Sequence, residues 1–111
     1  MKVKELINAG IFKVLNEGAD PEREISVPYC CDLLSIAMGK MPAGAAWVTV
    51  MGNINTLAVA TLADAACIIL AEGSSLDEPA SMKAKEQGVT VLFTEQPIFD
   101  AALMIHQKLH A

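Results

Sequence analysis

Three short segments hold residue types that can meet a ligand: Met51–Asn55, Glu72–Ser75 and Thr94–Gln96. In the first, Gly52 permits close backbone approach, and Asn53 and Asn55 can donate or accept hydrogen bonds beside a helix start. Such a loop can hold an anion or a nucleotide edge, because the first N–H groups of a helix lack intrahelical partners. The same residues serve equally well as a plain turn with an asparagine helix cap. Glu72 and Glu95 can lie close together at strand ends, where paired carboxylates perform acid–base work or hold a metal. Solvated loop acids look no different in a sequence. Asp32 stands where it can cap a helix whose first turn holds Ser35, and an acid there complements the helix dipole. No base follows Ser35 in a position to activate its hydroxyl.

The remaining reactive side chains form no catalytic set. Cys30 and Cys31 are adjacent, so on a strand they point to opposite faces and do not share a metal. The CxxC spacing of a structural zinc site is absent. One of the two could be a reactive thiol, whereas Cys67 opens an apolar run and reads as a core residue. Three cysteines without framework spacing fit a reducing compartment. His106 and His110 are four residues apart and share a helix face. That spacing can ligate zinc, but no third ligand is evident nearby, and a solvated helix end is the plainer reading. Neither GxxxxGK[ST] nor GxGxxG occurs, so nucleotide hydrolysis has no sequence support. We expect no catalytic residues, no metal and no cofactor.

Composition narrows the class further. The 111 residues carry 8 Lys+Arg and 13 Asp+Glu, a net charge of −5. That balance weighs against nucleic acid and against anionic membranes as partners. Hydrophobic residues make up 53% and charged residues only 19%, which excludes a disordered segment. A mean hydropathy of +0.41 is high for so small a chain, whose surface is large relative to its volume. It predicts a sheet covered on both faces, together with a surface used in a homo-oligomer or for a protein partner. Glu5 and Asn8 interrupt the apolar run a signal peptide needs, and Thr61 and Asp64 interrupt Leu57–Ala71. A cytoplasmic location follows as an expectation.

The elements that must position these loops follow from periodicity and punctuation. Val3–Ala9 reads as a helix stopped by Gly10, and Phe12–Leu15 as a strand. Ile25–Cys30 alternates like a strand in which Pro28 demands an edge or a bulge. Leu33–Met38 reads as a helix capped by Asp32 and ending at Gly39. Ala46–Val50, Cys67–Ala71 and Val89–Phe93 are near-continuous apolar runs, as strands buried on both faces are. Between them lie helices over Thr56–Leu62 and, capped by Ser75 with Glu78 in capping-box spacing, up to Gln87. Ile98–His110 is a closing amphipathic helix. This alternation predicts one domain over residues 1–111, an α/β three-layer sandwich with a mostly parallel sheet of about five strands. In such sheets ligands sit beyond the carboxyl ends of the strands.

The stretch from Arg23 to Ser35, ending Tyr-Cys-Cys-Asp-Leu-Leu-Ser, resembles the signature region of DRTGG domains. The resemblance continues through Gly44–Thr49, Asn53–Ala60 and Ala65–Gly73 and covers most of the chain. Val27–Pro28 stands where the family has Gly-Gly. The resemblance implies a fold similar to the N-terminal domain of HPr kinase/phosphorylase. It also implies a regulatory or assembly role, since DRTGG domains occur within some phosphotransacetylases and beside CBS domains. Small stand-alone proteins of this kind are similar to ones found near iron-only hydrogenase genes, which implies a redox-complex partner as the alternative.

Together these readings favour a non-catalytic regulatory or adaptor module that senses a small anionic or nucleotide-like ligand. Its candidate contacts are Met51, Gly52, Asn53, Asn55, Gly73 and Thr94, with Asp32 and Ser35 at the neighbouring helix start. The alternative is a purely structural oligomeric protein, and less favoured still is a small enzyme using Asp32, Ser35 or Cys31.

Overall fold

A computed structural model describes residues 1–111. In chain order the elements are α1 (Val3–Asn8), β1 (Lys13–Asn16), β2 (Pro28–Cys30), α2 (Leu34–Lys40), β3 (Ala46–Thr49), α3 (Ile54–Leu62), β4 (Cys67–Leu70), α4 (Glu78–Gln87), β5 (Val91–Phe93) and α5 (Ile98–Leu109). The five strands form one sheet in the order β1-β5-β4-β3-β2. β2 to β5 run parallel, and only β1 is antiparallel, against β5. This is the three-layer α/β arrangement expected from the alternating apolar runs.

The two faces of the sheet bury different helices, because alternate residues of each strand point opposite ways. Val48, Cys67, Ile69, Ala71 and Leu92 pack against Val3 and Leu6 of α1 and Ala101 and Ile105 of α5. Trp47, Ile68, Leu70 and Val91 pack against Ala37 of α2, Leu57 and Ala60 of α3, and Ala80 and Ala84 of α4. Small residues on α3 and α4 let those helices lie close to the strands and to each other. Complete burial of Cys67 pushes its thiol pKa up to about 12, so it behaves as a core residue.

Several element boundaries differ from the sequence reading. Strand pairing in the second run is confined to Pro28–Cys30, on the sheet edge, where a residue without an N–H is tolerated. Asp32 does not cap α2. Leu33 holds the N-cap position without a side-chain bond, and the helix continues through Gly39 to Lys40. Asn53 rather than Asn55 caps α3, which starts two residues early at Ile54; its Oδ1 accepts from the N–H groups of Asn55 and Thr56 at 3.0 and 3.2 Å. Asp77, not Ser75, caps α4 by accepting from Ala80 N–H at 2.9 Å. β5 begins at Val91, because Val89 N–H is held by Ala84 O at the end of α4.

Candidate functional site

Because β3, β4 and β5 are parallel and adjacent, the loops that leave them share one rim. Backbone bonds draw these loops together. Ala71 N–H donates to Thr49 O at 3.0 Å, Gly73 N–H to Thr94 O at 3.1 Å, and Asp77 N–H to Gly52 O at 2.9 Å. The rim thus gathers Met51, Gly52, Asn53, Gly73 and Thr94. Asp32 joins them from the β2–α2 loop: its Oδ1 accepts from Thr49 Oγ1 at 2.7 Å and from Val50 N–H at 2.9 Å. Asn55 lies exposed in the first turn of α3. Ser35 lies exposed in the first turn of α2 and has no hydrogen bond that ties it to the other loops.

Gly52 shows why a glycine is needed. A Cβ at that position would collide with Ser75 O. The backbone that approaches it closely is therefore the β4–α4 loop of the same chain. Met51 packs half-buried against the α3–α4 side of the core, and Thr94 is buried with its Oγ1 accepting from Gln96 N–H at 3.2 Å. The N–H groups of Gly52 and Asn53, by contrast, have no acceptor within the chain. They are two consecutive free donors at the amino end of α3, the side of a helix that favours negative charge.

The helix after β4 covers one face of the sheet, and the helix after β5 covers the other. Adjacent strands whose connections diverge in this way open a crevice at their carboxyl ends. Here the chain fills that crevice itself. Glu72 N–H donates to Gln96 O at 2.9 Å, and the Glu72 carboxylate accepts from Ile98 N–H, the first residue of α5, at 3.0 Å. Glu72 adopts a left-handed conformation (φ 59°) to do so, followed by Gly73 at φ 71°. An internal carboxylate thus occupies the helix end where an external anion would otherwise sit. Gln96 Oε1, in the same loop, is buried without a hydrogen-bond partner. The sequence reading paired Glu72 with Glu95; the hydrogen bond that Glu72 makes is instead to the α5 backbone.

Three acids at this rim serve as acceptors for nearby donors: Asp32 for β3, Glu72 for α5 and Asp77 for α4; Glu95, in the loop after β5, is exposed and accepts none. On the opposite rim, at the amino ends of β4 and β5, lies a polar cavity of about 170 Å³ lined by Asp20, Arg23, Thr61, Asp64, Gln87 and Thr90. Its only cationic side chain, Arg23, is bound in bidentate fashion by Asp64 at 2.8 and 2.9 Å. Sequence reasoning did not single out this cavity, since Arg23 and Asp64 are 41 residues apart and no local spacing links them.

No family model and no curated protein matches the sequence. The structure superposes on a crystal structure of the CBS and DRTGG domains of the regulatory region of Clostridium perfringens pyrophosphatase, complexed with an activator, diadenosine tetraphosphate. The TM-score is 0.69 at 12% identity. The match covers 94% of this chain and 45% of that one, so the chain spans less than half the length of the structure it resembles. At this identity the likeness establishes the fold: a DRTGG-like α/β unit. No helix is long and apolar enough to cross a membrane.

Proposed function

We propose that the chain is a non-catalytic regulatory or adaptor module that senses a small anionic or nucleotide-like ligand at the carboxyl-end rim of its sheet. The observation that carries this reading is the pair of free N–H donors at Gly52 and Asn53, on a rim where three parallel strands end together. In this reading those N–H groups hold phosphate or carboxylate oxygens. Asn55 and Ser35 add side-chain donors, and Met51 supplies an apolar wall. Gly73, Thr94 and Asp32 hold the loops in register. Two further facts support it. Of the rim acids, Asp32, Glu72 and Asp77 are committed to structural hydrogen bonds, so general acid–base chemistry would cost them those bonds, and Glu95 is exposed to solvent with no partner group. The pyrophosphatase region of the same fold was crystallised with a polyanionic nucleotide activator. The DRTGG resemblance of Tyr29–Ser35 points the same way. A cytoplasmic setting and the absence of nucleic-acid binding belong to this reading.

Thermal-shift screening of the full chain with phosphate, acyl phosphates and nucleotides tests it. A ligand at 100 times its Kd stabilises by about 2.7 kcal/mol. Silence across the panel overturns the ligand-sensing role.

A second reading, a structural homo-oligomer or a partner in a redox complex, is favoured by one observation. α2 buries only Ala37, while Leu33, Ile36 and Met38 on and beside it are 55%, 45% and 45% exposed. An apolar helix surface of this kind is covered in an assembly. Light scattering at micromolar concentration tests it: a monomer excludes the homo-oligomer.

A further inference from the structure

The carboxyl end of α5 carries two imidazoles that neither the core nor the rim uses. His106 and His110 are both exposed, and their ring centroids stand 4.3 Å apart with 50° between the planes. Neither ring takes part in an ion pair. With bonds of about 2.0–2.1 Å, two adjacent ligand nitrogens stand about 2.9 Å apart in a square-planar or octahedral shell and about 3.3 Å apart in a tetrahedral one. Rings already this close reach either separation by rotation about their own side-chain bonds. The location also suits a cation, because the last carbonyls of a helix carry partial negative charge, and His110 is the C-cap of α5.

We propose that His106 and His110 form a two-imidazole site for a borderline divalent transition metal ion. Affinity runs in the order Cu²⁺ above Ni²⁺, with Zn²⁺ below Cu²⁺. No third His, Cys, Asp or Glu joins the pair in a three-ligand cluster, so water fills the remaining positions. The site is therefore open: an external ligand can replace a water without unseating the ion. Binding forms two nitrogen–metal bonds and releases metal-bound water, with no change of oxidation state.

The test is isothermal titration of Ni²⁺ into the full chain carrying Cys30→Ser and Cys31→Ser, since thiols that are not fully buried compete for metal. One ion per chain is expected. His106→Ala and His110→Ala each weaken binding at least tenfold. The variant Gln107→His/His110→Ala keeps two histidines but not their spacing, and it does not restore binding. Positions 106, 107 and 110 are exposed, so these changes leave the core untouched, and circular dichroism checks that the parent with Cys30→Ser and the half-buried Cys31→Ser is folded. In the same protein, Ni²⁺ broadens NMR signals around residues 106–110 before others. The proposal is overturned if the parent binds no tighter than His106→Ala/His110→Ala, or if the respaced pair binds equally well.

Discussion

Asp32 and Thr49, seventeen residues apart, are joined by a 2.7 Å hydrogen bond from the buried Thr49 hydroxyl to the Asp32 carboxylate. The same carboxylate oxygen accepts from Val50 N–H at 2.9 Å. One side chain therefore fastens the edge strand β2 and its loop to the carboxyl end of β3. Removing it leaves a buried hydroxyl without an acceptor. Asp32→Ala is expected to lower stability by about 1–3 kcal/mol, and Asp32→Asn, which keeps an acceptor, by less. Urea denaturation followed through the buried Trp47 measures both.

Two glycines behave oppositely. At Gly52 an added Cβ meets Ser75 O, whereas at Gly39, inside α2, it meets nothing within 4 Å. Gly52→Ala must push the β3–α3 and β4–α4 loops apart and is expected to cost about 1–3 kcal/mol. Gly39→Ala is expected to stabilise by about 0.5–1 kcal/mol through helix propensity. Chemical denaturation of the two variants beside the parent decides the signs.

Glu72 holds the amino end of α5 from a left-handed backbone. Glu72→Ala loses the cap and keeps the strain, with an expected loss of about 1–2 kcal/mol. Glu72→Gly loses the cap but relieves the strain, so it is expected to remain about 1 kcal/mol more stable than the alanine variant. Both also free the Ile98 N–H at the amino end of α5, on the same rim, for an external anion, and phosphate binding is expected to strengthen in both. Paired denaturation and phosphate titration check the two halves separately.

Glu22 links the start of α1 to the β1–β2 loop. Hydrogen bonds from Lys2 and Lys4, at 2.8 and 2.7 Å, lower its pKa from 4.5 to about 2. A depressed carboxylate stabilises the folded state fully above its unfolded pKa, and the contribution is lost as pH falls through the folded pKa. The parent is therefore expected to lose its advantage over Glu22→Gln between about pH 4.5 and pH 2. These side chains are exposed, so the advantage shrinks in 1 M salt. Denaturant midpoints against pH at two salt concentrations measure this.

The sheet was legible because Trp47, Ile68 and Leu92 sit in unbroken apolar runs, and runs buried on both faces carry their own signature. Pro28, for want of an N–H, narrowed β2 to an edge or a bulge, and the strand lies on the edge. The destination of polar side chains was not. Asp32 precedes a helix and has the chemistry of a cap, but a strand end seventeen residues away offers it two donors, and no spacing rule reveals that pairing. Ser75 and Asp77 are both competent caps for α4; Ser75 O packs against Gly52, and Asp77 takes the role. The gathering of Met51–Asn53, Gly73 and Thr94 on one rim followed from parallel topology. That Glu72 fills the crevice between them depends on a backbone conformation the sequence does not display.

The most direct test is a ¹H–¹⁵N NMR titration of the chain with adenine nucleotides and inorganic phosphate. The proposed function predicts saturable shifts concentrated at the amides of Gly52, Asn53, Asn55 and Gly73. Shifts centred on Arg23, Asp64 and Thr90, or none at all at millimolar ligand, contradict it.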